Sequence, residues 1–314
     1  MIPFLKQVAD HYHNIGNLRS RCFVFPNRRS MVFFRKYLCD RIAQEASTSV
    51  IAPLMLTIND LFSKANGVNA ADRVRLLVDL YACYKDLNPK AESLDEFIFW
   101  GDVILGDFND VDKYLVDPVQ LFRNVADYKA IQDDYSYLSP QQKEAISAFI
   151  RHFRDDSGRL TVNLDTDDED VKRRFLEIWN ILLPLYGQFN SLLESKGTAY
   201  EGMIYRRLAE KVRKEGAEEV FAAVFPKVET FVFVGLNALN ECEKTVLAGL
   251  RDASMAEFCW DWAGDMIRDP RNRSSFFMSD NVKLFPSAFP TDTEGLRLPQ
   301  FNLVSVASSV GQAK

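Results

Sequence analysis

A four-residue apolar run, Phe231-Val232-Phe233-Val234, constrains this chain more than any other stretch. It shows no polar alternation, the pattern of a strand covered on both faces, as in a parallel sheet. Gly235 ends the run. Asn240 with Glu243 then forms a capping-box pair, which opens a helix carrying Val246, Leu247 and Leu250 at helical spacing.

The same grammar recurs elsewhere. Pro3 suits a first helical turn, and Phe4, Leu5, Val8 and Tyr12 keep helical spacing up to Asn14–Gly16. A strand over Cys22–Phe25 is closed by Pro26, and Asn27, Arg28 and Arg29 turn into a helix bearing Met31, Phe34, Tyr37, Leu38 and Ile42. Val50–Leu56 reads as a second strand, with Thr57–Phe62 as turn and helix start, and Ala70–Leu87 as a long amphipathic helix. Between Glu92 and Glu215 the signals are helical: Ser93 with Glu96, Asp117-Pro118, Ser139-Pro140 with Gln142, Thr198 with Glu201, and a helix over Val171–Leu193. Arg159–Leu164 reads either as a short strand or as an extended linker, and the acidic run Asp165–Asp170 as a solvated loop. Strands return at Phe231–Val234, Glu257–Trp260 and Leu303–Val306.

The expectation is an α/β fold: a discontinuous parallel-sheet domain over 1–90 and 218–314, interrupted by an inserted all-α domain over 91–217. Ligands on such sheets gather at the carboxyl ends of the strands. The turns that matter are therefore Pro26–Arg29, Thr57–Asp60, Gly235–Asn240 and Asp261–Asp265.

Length and charge bound the rest. A chain of 314 residues is long enough for two cores. A net charge of −6 argues against a wholly basic nucleic-acid wrapper while leaving room for a local basic face. Five cysteines without CxxC spacing read as reduced, mostly buried thiols in a cytoplasmic protein. No apolar run approaches the roughly 20 residues that span a bilayer, and the opening MIPFLKQVADHYH is amphipathic and charged, unlike a secretory signal. The final stretch, Asn302–Lys314, reads as a strand followed by the opening of a helix, an ending expected of a piece of a longer polypeptide.

The four turns carry a family likeness. FVFPNRRSMVFFRKYL (Phe23–Leu38) resembles the second conserved strand–turn–helix of superfamily 1 DNA helicases, and TINDLF (Thr57–Phe62) their following Thr-x-His turn. FVFVGLNALNECEKTVLAGL (Phe231–Leu250) stands where that family has its Asp-Glu-x-x-Asp box, and FCWDWAGD (Phe258–Asp265) where it has Val-Gly-Asp. Taken in order, they are similar to the N-terminal part of the AddB-like subunits of bacterial helicase–nuclease complexes, described as inactivated superfamily 1 helicases. The resemblance implies a P-loop-NTPase-like (Rossmannoid) 1A sheet domain with an inserted helical 1B domain.

The departures from an active motor are specific. No GxxxxGK[ST] run exists to wrap and neutralise phosphates. The helix Pro3–His13 reads as the one that follows that loop in the family, with the first strand and the loop deleted. The degenerate metal-holding position reads Gly235, Leu236, Asn237 and Asn240, with an amide at Asn237 where Mg²⁺ requires a carboxylate. The resemblance therefore implies no ATP hydrolysis, no cofactor and no resident metal. It also implies single- or double-stranded DNA ends as ligand, an active AddA-like helicase/nuclease subunit as partner, and a nuclease domain of the PD-(D/E)XK type further along the full protein.

DNA contacts are expected at Asn27, Arg28, Arg29, Thr57, Asn59 and Trp262, with Arg19, Arg21, Arg35, Lys36 and Arg41 adding local positive charge. Two alternatives stay open: a structural platform for a motor subunit without DNA contact, and an atypical nucleotide-binding ATPase. Phe62 and Trp260 read as core residues. His11 and His13 sit two apart, which splays them around a helix instead of converging them on a metal. Asp107–Asp112, DFNDVD, lacks the Gly and terminal Glu of a calcium loop and reads as solvated and helix-capping. His152 has no nucleophile partner in sight, and Asp261 and Asp265 read as turn residues.

Overall fold

The computed structural model describes residues 2–44, 51–89, 91–126, 169–262 and 271–288, with Asn302, Val304 and Ser305. The elements run α1 (Phe4–Ile15), β1 (Arg21–Phe25), α2 (Arg28–Ala43), β2 (Leu54–Thr57), α3 (Ile58–Asn66), α4 (Arg73–Leu87), α5 (Leu94–Lys113) and α6 (Pro118–Ala126). After them come α7 (Glu169–Ser195), α8 (Glu201–Glu215), α9 (Ala217–Val224), β3 (Thr230–Val234), α10 (Glu241–Asp252), β4 (Ala256–Cys259) and α11 (Phe276–Leu284).

The four strands form one all-parallel sheet in the order β2-β1-β3-β4. The apolar run is β3, buried at Phe231, Val232, Phe233 and Val234 and flanked by strands on both sides. From the centre, β1 connects outward to β2 through α2, while β3 connects outward the other way to β4 through α10. Parallel crossovers are right-handed, so opposite directions place the two helices on opposite faces. The packing obeys this. Phe34 and Leu38 of α2 join Val8, Ala9 and Tyr12 of α1 over Phe23, Phe25, Val232, Val234 and Cys259. Val246, Leu247 and Leu250 of α10 join α3, α8 and α9 over Cys22, Val24, Phe231, Phe233 and Phe258. Each buried aromatic contributes roughly 1.5–3 kcal/mol, so covering both faces is what fixes β1 and β3 as central strands.

The second core continues without a break from the sheet into α4, α5, α7 and α8. At its heart lies a polar lock. Asp112, 1% exposed, accepts from Arg206 Nε at 2.6 Å, from Tyr186 Oη at 2.6 Å and from Tyr200 Oη. Arg206 Nη2 also donates to the carbonyls of Val111 and Val116, and the Cys242 thiol donates to the Asp112 carbonyl. The DFNDVD stretch is therefore interior: Asp107 and Asp112 are both buried, within α5. Helical periodicity turns positions 107 and 112 inward with Phe108 and Val111, and the arginine that neutralises Asp112 arrives from α8, far away in sequence.

Other boundaries shift for local reasons. Of the strand expected over Val50–Leu56, Val50 lies outside the described residues and the strand covers Leu54–Thr57, beginning just after Pro53, which has no N–H to give to a ladder. The helix expected from Ala70 starts at Arg73, capped by the Asp72 carboxylate through Val74 N and Arg75 N, while Ala70 bridges to Ala199. Thr198 does not cap α8; Tyr200 stands at its N-cap with no side-chain bond. β4 lies one residue earlier than Glu257–Trp260. α7 runs two residues past each end of Val171–Leu193. Val304 and Ser305, the described residues of the strand expected at Leu303–Val306, lie outside any strand. Ser139–Gln142, His152, Arg159–Leu164, Asp165–Asp168 and Asp265 fall outside the described residues.

Candidate functional site

The strand order marks one switch point by construction. β1 and β3 are neighbours whose carboxyl ends lead to opposite faces, and at such a switch point α/β sheets seat their ligands. Here β1 ends in Pro26 and Asn27, and β3 ends in Gly235, whose φ of +66° belongs to the left-handed region that favours glycine. The start of α1 comes over this tip: a Cβ added to Gly235 would lie 3.4 Å from Phe4 Cε1. Leu236 and Leu239 are buried, and the exposed Asn237 gives its carbonyl to Asn281 Nδ2 of α11. Asn240 is fully committed to capping: its Oδ1 accepts from Glu243 N at 2.9 Å, and Glu243 Oε2 accepts from Asn240 N at 3.0 Å. The loop at the tip of β3 thus offers apolar packing and helix caps.

Two carboxylates in the helix starts that follow β2 and β3, Asp60 and Glu243, are occupied in the same way. Asp60 Oδ2 accepts from Thr57 Oγ1 at 2.7 Å and from Thr57 N at 3.2 Å. Glu243 is buried, which pushes its carboxyl up to about 7. Lys113 of α5, which pulls that value down, is itself paired with Glu201 at 2.6 Å. Among the described residues no three His, Cys, Asp or Glu side chains come together as a metal would need.

The residues expected to touch DNA separate into two kinds. Asn27, Arg28 and Arg29 stand together at the start of α2, and the register of Phe25 with Thr57 brings the β2 turn beside them. Asn27 caps α2, its Oδ1 accepting from Ser30 N at 2.9 Å and from Ser30 Oγ at 3.2 Å. Arg28 and Arg29 are exposed and make no ion pair among the described residues. Thr57, by contrast, is buried in its capping box, and Asn59 Oδ1 accepts the hydroxyl of Tyr205 from α8. Trp262 packs partly buried against the large core just beyond β4, two strands from β1, about 10 Å across the ladder. Phe62 and Trp260 are fully buried, as expected of core residues. Arg21 is a structural cation: its Nη1 donates to Gly16 and Asn17 carbonyls, and its guanidinium lies 5.4 Å from the Tyr12 ring centre.

The sequence reading missed Phe33. The Phe33-Phe34 doublet places one ring in the core and the other, about 100° round the helix, in solvent. Phe34 is fully buried while Phe33 is 42% exposed, its ring 6.4 Å from that of Tyr37. The signal was present: Arg29, Phe33 and Lys36 recur at i, i+4 and i+7, a polar-face spacing that an inventory of core positions passes over. Cys39, one turn further along, is the one exposed thiol of five; the other four are buried and all five are free.

Compared with known proteins, the chain matches no protein-family model and no curated sequence. No described helix is long and apolar enough to cross a membrane.

Proposed function

We propose that this chain is a catalytically inactive, helicase-like module that binds DNA and serves as a scaffold in a cytoplasmic helicase–nuclease complex acting on double-strand breaks. In this reading the sheet with α1–α3 and α10 stands as the P-loop-like 1A part, the block from α5 to α8 as its inserted 1B part, and an AddA-like subunit supplies the motor. The observation that carries it is the contrast at the carboxyl edge of the sheet. The strand-end loops at Thr57–Asp60 and Gly235–Asn240 are spent on caps and packing, while Arg28 and Arg29 project from the first turn of α2 with no ion pair among the described residues. A surface of that kind grips phosphates through charge and performs no phosphoryl transfer.

The test is a titration of a fluorescently labelled oligothymidylate with wild type and R28A/R29A at low and moderate salt. The reading expects salt-sensitive binding by wild type, weakened about tenfold or more in the variant, and no phosphate release from Mg-ATP. Absence of wild-type binding at low salt overturns it. A second reading, a platform that holds a motor subunit without touching DNA, is favoured by the internal engagement of Thr57, Asn59 and Trp262. Co-purification with a motor subunit, together with unchanged DNA affinity in R28A/R29A, selects it.

A further inference from the structure

Helix α2 differs from the rest of the molecule in charge. Its 16 residues carry Arg28, Arg29, Arg35, Lys36 and Arg41 against the single Asp40, in a chain whose net charge is −6. Arg28, Arg29, Arg35 and Lys36 are all exposed, and none makes an ion pair among the described residues. They lie on two adjacent stripes of one face. Arg29, Phe33 and Lys36 form the first; Arg28, Val32, Arg35 and Cys39 form the second. Phe33 and Val32, 42% and 48% exposed, interrupt the cations with apolar surface, and the Tyr37 ring lies beside Phe33. The opposite side of the helix is anchored by Phe34 and Leu38 in the core shared with α1, so the face is held rigidly toward solvent.

We infer that this outward face of α2 is a binding strip for single-stranded nucleic acid. Phosphates run along Arg28, Arg29, Arg35 and Lys36, and an unpaired base stacks on Phe33. The inference rests on the DNA-binding reading above and relocates the contact: the strand follows the solvent side of α2 for about 12 Å, away from the sheet edge, instead of crossing the strand ends toward Trp262. A polyanion is the complementary partner for a net-positive helix in a chain that is acidic overall, because the charge of the whole chain directs it to the basic helix. The exposed ring between cations favours a single strand over a duplex, whose bases are already stacked. Membrane headgroups would use the same cations but have no ring to stack on Phe33.

Cys39 makes the strip measurable in the intact protein, being the one exposed thiol. Its alkylation rate is followed with and without an oligothymidylate of about 20 nucleotides, and affinity is measured for F33A, F33W, R35A/K36A and R28A/R29A. Bound oligonucleotide is expected to slow Cys39 alkylation at least fivefold. F33A weakens binding about tenfold and F33W restores it, as stacking on an aromatic ring requires. R35A/K36A reduces the magnitude of the salt slope by about 1.4, close to 0.7 for each lost phosphate contact on a single strand.

If R28A/R29A weakens binding while F33A, R35A/K36A and Cys39 reactivity stay as in wild type, the strip is overturned and the broader DNA reading survives. If wild type binds no oligonucleotide at low salt, both fall. Equal affinity for duplex with no effect of F33A overturns the single-strand assignment. Stronger Cys39 protection by phosphatidylserine vesicles than by oligonucleotide overturns it in favour of a membrane surface.

Discussion

Substituting Asp112→Asn should destabilise the helical block by about 3–5 kcal/mol. Asp112 is 1% exposed and faces three donors, and the side chain of Arg206 opposite it is only 18% exposed. Asparagine keeps the shape and one acceptor oxygen. It removes the buried counter-charge of Arg206, leaving only the more exposed Glu210 at 3.5 Å, and turns an amide N–H₂ toward a tyrosine hydroxyl that had been donating. Arg206 would keep only the Val111 and Val116 carbonyls for its Nη2. Domains are stable by about 5–15 kcal/mol, so the loss is about a fifth of the total or more.

The assay is urea unfolding followed by tryptophan fluorescence for D112N, R206M and the double variant. Each single variant leaves one charge without its buried partner, whereas the double removes both. The cycle should therefore show a coupling of at least about 2 kcal/mol, with the double variant less damaged than the sum of the singles. A loss below about 1 kcal/mol for D112N, or strict additivity in the cycle, would refute the view that this pair locks α5 to α8.

Further outcomes follow from the strand tip and from the buried acids. G235A should cost about 1–2 kcal/mol, set by the left-handed backbone at φ +66° and not by crowding, since the new Cβ would only touch Phe4 at 3.4 Å; an unchanged melting temperature would contradict that strain. Burial raises Glu243 from 4.5 to about 7, and burial together with Asp110 raises Asp107 from 3.8 to about 8. Both groups hold protons in the folded state that the unfolded chain has released, so stability should fall as pH rises from about 5 to about 8. Urea midpoints across that window should flatten in the E243Q/D107N double variant, and a slope unchanged by it would refute the assignment.

The sequence was most legible where a local rule met a buried face. The β3 run, the Asn240–Glu243 cap, the Asn27 cap and the Pro3 helix start all depend on neighbours within a turn, and they stand where the periodicity placed them. Strand order was not legible, because pairing β1 with β3 joins residues some 200 positions apart by packing alone. Asp112 was misread for the same reason, its partners lying on α7 and α8. Within the candidate site, the turns at Asn27–Arg29 and Thr57–Asp60 stand at the strand ends, but the side chains of Thr57 and Asn59 are engaged within the fold while Arg28 and Arg29 stay exposed. Thr57 answers Asp60 and Asn59 answers Tyr205, the first a local bond and the second a distant one. Phe33 was hidden by its neighbour, since two consecutive phenylalanines read as core until the helix phase is fixed by Phe34 and Leu38.

Amide hydrogen exchange on the intact chain, with saturating oligothymidylate in one sample and Mg-ATP in another, puts the central claim to its most direct trial. Oligothymidylate should slow exchange in peptides covering Asn27 to Ala43, and Mg-ATP should leave the Gly235–Asn240 loop and the start of α1 unchanged. Protection of that loop by Mg-ATP, or no change along α2 with DNA bound, would contradict the proposal that this sheet grips no triphosphate and that α2 holds nucleic acid on its outer face.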